Sequence, residues 1–131
     1  MSDPAFALQK AFFVALKGNT EAGENVFDRV PTSKSYPRIT IGEGQSIGNV
    51  EDCYEGTESF SDVHVWTSGV GFLQAKRIVG EIRGILHDAE LDLEGHTLEL
   101  IEFQTARYLN EPDGLSCHAI MTFRTLTQPS F

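Results

Sequence analysis

The run from Glu58 to Leu86, ESFSDVHVWTSGVGFLQAKRIVGEIRGIL, constrains this chain most, because its hydrophobic period changes midway. Phe60, Asp62, His64 and Trp66 alternate with Ser61, Val63, Val65 and Thr67, so residues two apart share a face of an extended strand. Beyond the turn Thr67-Ser68-Gly69 the spacing becomes three and four. Phe72, Ala75, Val79, Ile82 and Leu86 make one stripe, Ile78 and Ile85 widen it, and Gln74, Lys76, Arg77, Glu81 and Arg83 fill the polar side. A strand feeding directly into a core-facing helix predicts a layered domain of helix on sheet.

The same reading carries along the chain. Residues 3–17 predict a helix in which Asp3 caps, Pro4 takes the first position, and Leu8, Phe12, Ala15 and Leu16 share a face, with Phe6 and Phe13 partly off it toward a neighbour. Lys17-Gly18-Asn19 closes it. A short strand around Asn25 to Val30 follows, and Pro31 and Pro37 bracket a link to the strand Arg38-Ile39-Thr40-Ile41, at positions suited to strand starts or edges. Gly42 to Thr57 holds Gly42, Gly44, Gly48 and Gly56 among Glu43, Glu51, Asp52 and Glu55 and has neither period. That predicts a mobile loop at about residues 42–57, with room for a short hairpin around Gly48-Asn49.

After His87-Asp88 ends the second helix, Leu91 and Leu93 alternate up to Glu94-Gly95. Thr97 to Tyr108 predicts a long strand whose apolar phase changes between Leu100 and Ile101, the mark of a bulge. Asn110-Glu111-Pro112-Asp113-Gly114 has turn composition, and Leu115 to Leu126 returns as a strand. Cys117, Ala119, Met121 and Phe123 give it one apolar face, which predicts an antiparallel hairpin with the preceding strand, covered by the helix Gly71 to His87. The expected fold is a small single α+β domain, residues 1–131, with an antiparallel or mixed sheet packed by two helices in the order α-β-β-β-α-β-β.

Ten Lys and Arg against nineteen Asp and Glu give a net charge of -9. Such a chain does not hold nucleic acid by neutralising phosphates, although acidity has solubility as its plainer meaning. No apolar run approaches the ~20 residues of a membrane span, and MSDPAFALQK lacks the basic start and apolar core of a signal peptide. Cys53 and Cys117, the two cysteines, support neither a disulfide framework nor a structural zinc site.

Catalytic chemistry finds no footing. Cys117 and His118 are strand neighbours and point to opposite faces, and Cys53 sits between acids that would raise its pKa. His64, His87, His96 and His118 have no metal-binding spacing, so a site would have to be assembled entirely by the fold, and each reads as a surface or interface histidine. Gly42-Glu43-Gly44 lacks the lysine and helix start of a phosphate loop. The expected catalytic, cofactor-binding and metal residues are therefore none. Gly80 and Gly84 mark either close approach of another backbone or tolerated surface glycine. Trp66 reads as a lid over the core or as an interface anchor, with the strand-end position favouring the lid.

The Val65-Trp66 strand end leading to a helix that finishes Ile85-Leu86-His87, the Arg107 to Gly114 hairpin, and the following CHAIMTFR (Cys117 to Arg124) together resemble the tail-terminator, or tail-completion, proteins of long-tailed phages, prophages and gene transfer agents. VFDRVP, YPRITIGE and NEPDG, on either side of the Glu58 to Leu86 run, belong to the similarity, which extends from about Val26 to Leu126. It implies a structural virion protein and no enzyme: a homohexameric ring at the head-proximal end of the tail tube that stops tube polymerisation and docks the head connector. The implied partners are copies of itself, the tail tube protein and the connector or neck protein, with no membrane, and DNA passing through the lumen without specific binding. Synthesis would be in the host bacterial cytoplasm. Another head-tail joining protein, such as a neck stopper, is the nearest alternative, and a small cytosolic enzyme or ligand-binding domain is the alternative of another class. A concave pocket with convergent polar groups would mark the latter, whereas a ring subunit buries apolar area on assembly.

Overall fold

The computed structural model describes residues 3–28, 35–51, 54–69 and 71–130, with the backbone alone at 49–51, 54 and 55. The chain runs α1 (Ala5–Leu16), β1 (Val26–Phe27), β2 (Arg38–Glu51), β3 (Tyr54–Ser68), α2 (Leu73–Leu86), β4 (His96–Asn110) and β5 (Ser116–Pro129), the order the periodicities predict. Asp3 Oδ1 accepts the Ala5 amide at 2.9 Å, meeting one of the donors that a helix start leaves open. Past α1, Gly18 takes φ +79°, a left-handed conformation that glycine adopts without a Cβ clash. Leu8, Phe12 and Leu16 are buried, Phe13 packs at the margin of the core, and Phe6 is 75% exposed.

One five-stranded mixed sheet has the order β1-β2-β3-β5-β4. β1 pairs with β2 in parallel, and every other pairing is antiparallel. Since β5 lies between β3 and β4, the unit β3-α2-β4 is a split βαβ with the last strand inserted into it. The expected hairpin is present: β4 and β5 pair from His96↔Pro129 to Asn110↔Cys117. Cys117, Ala119, Met121 and Phe123 are buried on the face that α2 covers with Ala75, Ile78, Ile82 and Leu86. The phase change read at Leu100 and Ile101 corresponds to register shifts between Leu98 and Leu100 and between Phe103 and Thr105, which return Ile101 to the core and keep Phe103 against Phe123.

Both helices cover the same sheet face, and Phe12 of α1 meets Phe123 of β5 edge-on at 6.0 Å. Helices of 12 and 14 residues span about 20 Å, whereas strands of 14 and 15 residues span roughly 45–50 Å. The sheet therefore outruns its helical cover. In β2 burial ends at Ile41, and residues 42–48 are exposed.

Here the sequence expectation needs correction. The structureless loop expected at about 42–57 is, in its described residues, the outer part of a long β2-β3 hairpin, paired from Gln45↔Phe60 to Glu51↔Tyr54. No turn breaks the pairing at Gly48-Asn49, which oppose Thr57 and Gly56. Exposed on both faces over residues 42–48, this stretch has no hydrophobic period to display there, and its strand conformation comes from ladder hydrogen bonds to β3. Cys53 and Asp52, like residues 29–34, lie outside the described residues.

Candidate functional site

Strand alternation sends Val63 and Val65 into the core and turns Asp62, His64 and Trp66 to the face away from the helices. On the neighbouring β5 the same rule turns His118, Ile120 and Thr122 to that face. The register sets Trp66 opposite His118 and His64 opposite Ile120. The indole and the His118 imidazole stack with centroids 3.7 Å apart and planes 12° from parallel. His64 stacks next in the row, 4.9 Å from His118.

Trp66 donates through Nε1 to Thr40 Oγ1 at 3.1 Å. The Arg38 guanidinium lies 4.2 Å from the Tyr36 ring centroid and 5.9 Å from that of Trp66, a cation-π arrangement that extends the row across β2. The expectation that Trp66 lids the core is thus corrected. Its even-numbered position on β3 places it opposite the core valines, on the uncovered face.

Polar partners flank the rings. Between Ile41↔Val63 and Gly44↔Ser61 the β2 ladder carries two residues, Gly42 and Glu43, against the single Asp62 of β3, which is a β-bulge. The bulge aims Glu43 at β3, where its Oε1 stands 3.0 Å from His64 Nε2. His64 Nδ1 and His118 Nε2 are 2.7 Å apart, and His118 Nδ1 faces Glu111 Oε1 at 3.2 Å. Burial, reinforced by His64, pushes the His118 pKa down to about 4, so its imidazole is neutral at neutral pH. Asp62 accepts from Thr122 Oγ1 at 2.8 Å. Farther along the face Arg124 pairs with Glu58 on β3 and with Glu102 on β4 at 2.9 Å, and these hydrogen bonds raise its pKa.

Cys117 and His118 do point to opposite faces. The Cys117 sulfur is fully buried, 3.3 and 3.2 Å from the carbonyl oxygens of Gly69 and Gly71, so it cannot use His118 as a base. His87 lies beside Asp88 at 3.4 Å and accepts the Phe103 amide, while His96 is buried at the start of β4 and approaches Glu94 O at 3.2 Å. Only His64 and His118 come together. Both occupy the even phase of alternating strands, but nothing in the sequence says that those strands are neighbours.

A Cβ at Gly80 or Gly84 would meet nothing within 4 Å, so no backbone among the described residues requires either glycine. Of the cations on α2, Arg77 pairs with Glu21 at 2.9 Å, Lys76 lies over Tyr108, and Arg83 lies over Phe103.

Among the described residues the sheet is covered by helices on one face, is polar and ring-lined on the other, and ends in β1 at one side and β4 at the other. Residues 10–128 match the family described as tail completion protein gp17, and the chain belongs to that family. It is a structural protein of the phage-type virion tail and not an enzyme. A chain from a solved structure described as the virion of a native gene transfer agent particle shares the fold, with a TM-score of 0.87 at 22% identity over 95% of this chain and 97% of that one. Among curated proteins, none matches.

Proposed function

We propose that this tail completion protein is the tail terminator: identical subunits close into a ring, most simply a hexamer, on the head-proximal end of the tail tube. The ring stops tube polymerisation and offers its far surface to the head connector. The observation that carries the reading, beyond family membership, is the pair of strand edges on opposite sides of the sheet. β4 borders one side along all 15 of its residues. On the other side, among the described residues, β1 covers β2 only at Ile39 and Thr40 and leaves the outer part of β2 as an edge. Two different edges permit head-to-tail contacts between copies, and such contacts end in a closed ring or run on as a filament.

The exposed half of β2 is the natural element to reach a neighbour. In this reading it is loose in the free subunit and becomes ordered on assembly, so protease should cut the free subunit there first and spare it in the ring. With -9 charges per subunit, the lumen repels phosphate and lets DNA pass without a specific contact. If the β2-β3 arm lines the lumen, lysine at Glu43, Glu51, Asp52 and Glu55 together slows DNA passage.

Sedimentation velocity and electron microscopy of the purified protein, alone and with tail tubes, test the proposal. Particles of six times the 14.5 kDa subunit mass, seen as rings at one tube end, are the expected result. A monomer in assembled tails refutes the ring, and a ring found only on the connector side of the joint supports a neck stopper instead.

A further inference from the structure

The bulge at Gly42-Glu43 has assembled three donor groups that no sequence spacing announces. Asp62 and His64 share the open face of β3 two residues apart, and the bulge brings Glu43 beside them from β2. One carboxylate oxygen each from Glu43 and Asp62 and a ring nitrogen of His64 lie within 4.8 Å of one another. His64 Nε2 and Glu43 Oε1 are already 3.0 Å apart, so a widening of a few tenths of an ångström gives the separation of two tetrahedral ligands whose bonds are about 2.0–2.2 Å long. We propose that Glu43, Asp62 and His64 form a binding site for a divalent cation of the zinc class, with water in the remaining position.

The neighbouring contacts suit a ligating histidine. Glu43, His64, His118 and Glu111 make three close polar contacts in a row, at 3.0, 2.7 and 3.2 Å. With a cation on His64 Nε2, His64 Nδ1-H donates to His118 Nε2 and His118 Nδ1-H donates to Glu111. That is the outer shell that ligating histidines regularly have, an acceptor holding the other ring nitrogen in one tautomer. Asp62 has its own support in the Thr122 hydroxyl. One nitrogen and two carboxylate oxygens suit Zn2+ or Mn2+ better than Cu(I), which prefers thiolates. The bound ion ties the root of the β2-β3 arm to the body of the sheet.

The test uses the full chain, stripped with chelator and titrated with Zn2+ by calorimetry, with metal analysis after dialysis. The expected result is one saturable Zn2+ per chain and a higher Tm when it is bound. Glu43 is 73% exposed, so Glu43→Gln leaves the fold intact and weakens binding by about tenfold or more, as does Asp62→Asn. His118→Phe keeps a ring against Trp66 but removes the acceptor from His64, and it weakens binding about 10–100-fold without removing any ligand. His87→Gln leaves binding unchanged. Absence of saturable binding by the wild-type chain overturns the proposal, and so does equal binding by the folded Glu43→Gln variant.

Discussion

Phe123 ties α1 to the β4-β5 side of the sheet, and replacing it by alanine should bring the domain close to unfolding. It sits on β5, between β3 and β4, has no exposed surface, and meets Phe12 of α1 at 6.0 Å and Phe103 of β4 at 5.9 Å, both edge to face. Truncating a buried phenylalanine costs about 3–5 kcal/mol in lost transfer energy and residual cavity. Each aromatic pair adds ~0.5–1.5 kcal/mol, so Phe123→Ala belongs at the upper end, about 4–5 kcal/mol. The whole stability of such a domain is about 5–15 kcal/mol.

Urea unfolding of the free subunit, followed by the fluorescence of the single Trp66, measures the change. Trp66 lies on the opposite sheet face, so its signal reports global unfolding and not a local change at the cavity. The midpoint should fall with the slope unchanged. Phe6→Ala supplies the comparison: a phenylalanine that is 75% exposed should shift stability by no more than about 0.5 kcal/mol. A cost below about 1.5 kcal/mol for Phe123→Ala, or equal effects from the two variants, refutes the packing argument.

Three further outcomes follow from particular contacts. Gly80→Ala and Gly84→Ala should each stabilise the free subunit by about 1 kcal/mol, since the new methyl groups enter open space on a helix. If the same variants fail to form rings by sedimentation, a neighbouring subunit packs on that helix face; unchanged assembly marks both as plain surface glycines. Gly44→Ala puts a Cβ 2.8 Å from the backbone oxygen of Phe60, so β2 must shift. A loss of about 1–3 kcal/mol and faster amide exchange in the β2-β3 arm are expected, and unchanged exchange contradicts the bulge geometry. Thr40→Val removes the acceptor of the Trp66 indole, which should cost about 1 kcal/mol and shift the tryptophan emission. An unaltered spectrum argues against that hydrogen bond.

Local sequence pattern settles which segments are helix and strand wherever one face is buried. The stripes Leu8-Phe12-Leu16 and Ala75-Val79-Ile82-Leu86 and the alternation Cys117-Ala119-Met121-Phe123 are local consequences of two periods, 3.6 and 2, and they sufficed for the α+β class and for the final hairpin. The phase slip at Leu100 was legible for the same reason, because an inserted residue moves the apolar set to the wrong face unless the strand bulges.

What lacked a buried face was silent. Gly42 to Glu51 is strand because β3 lies beside it, so its glycines and acids read as loop. The open-face cluster was beyond reach as well, since His64 and His118 are 54 residues apart and His64 and Glu43 are 21 apart. Alternation says that each residue leaves the core, but only the strand order β2-β3-β5 and the exact-by-register pairing of Trp66 with His118 make them neighbours. Strand order and register are set by how the whole core closes, and that is a property of the tertiary structure alone.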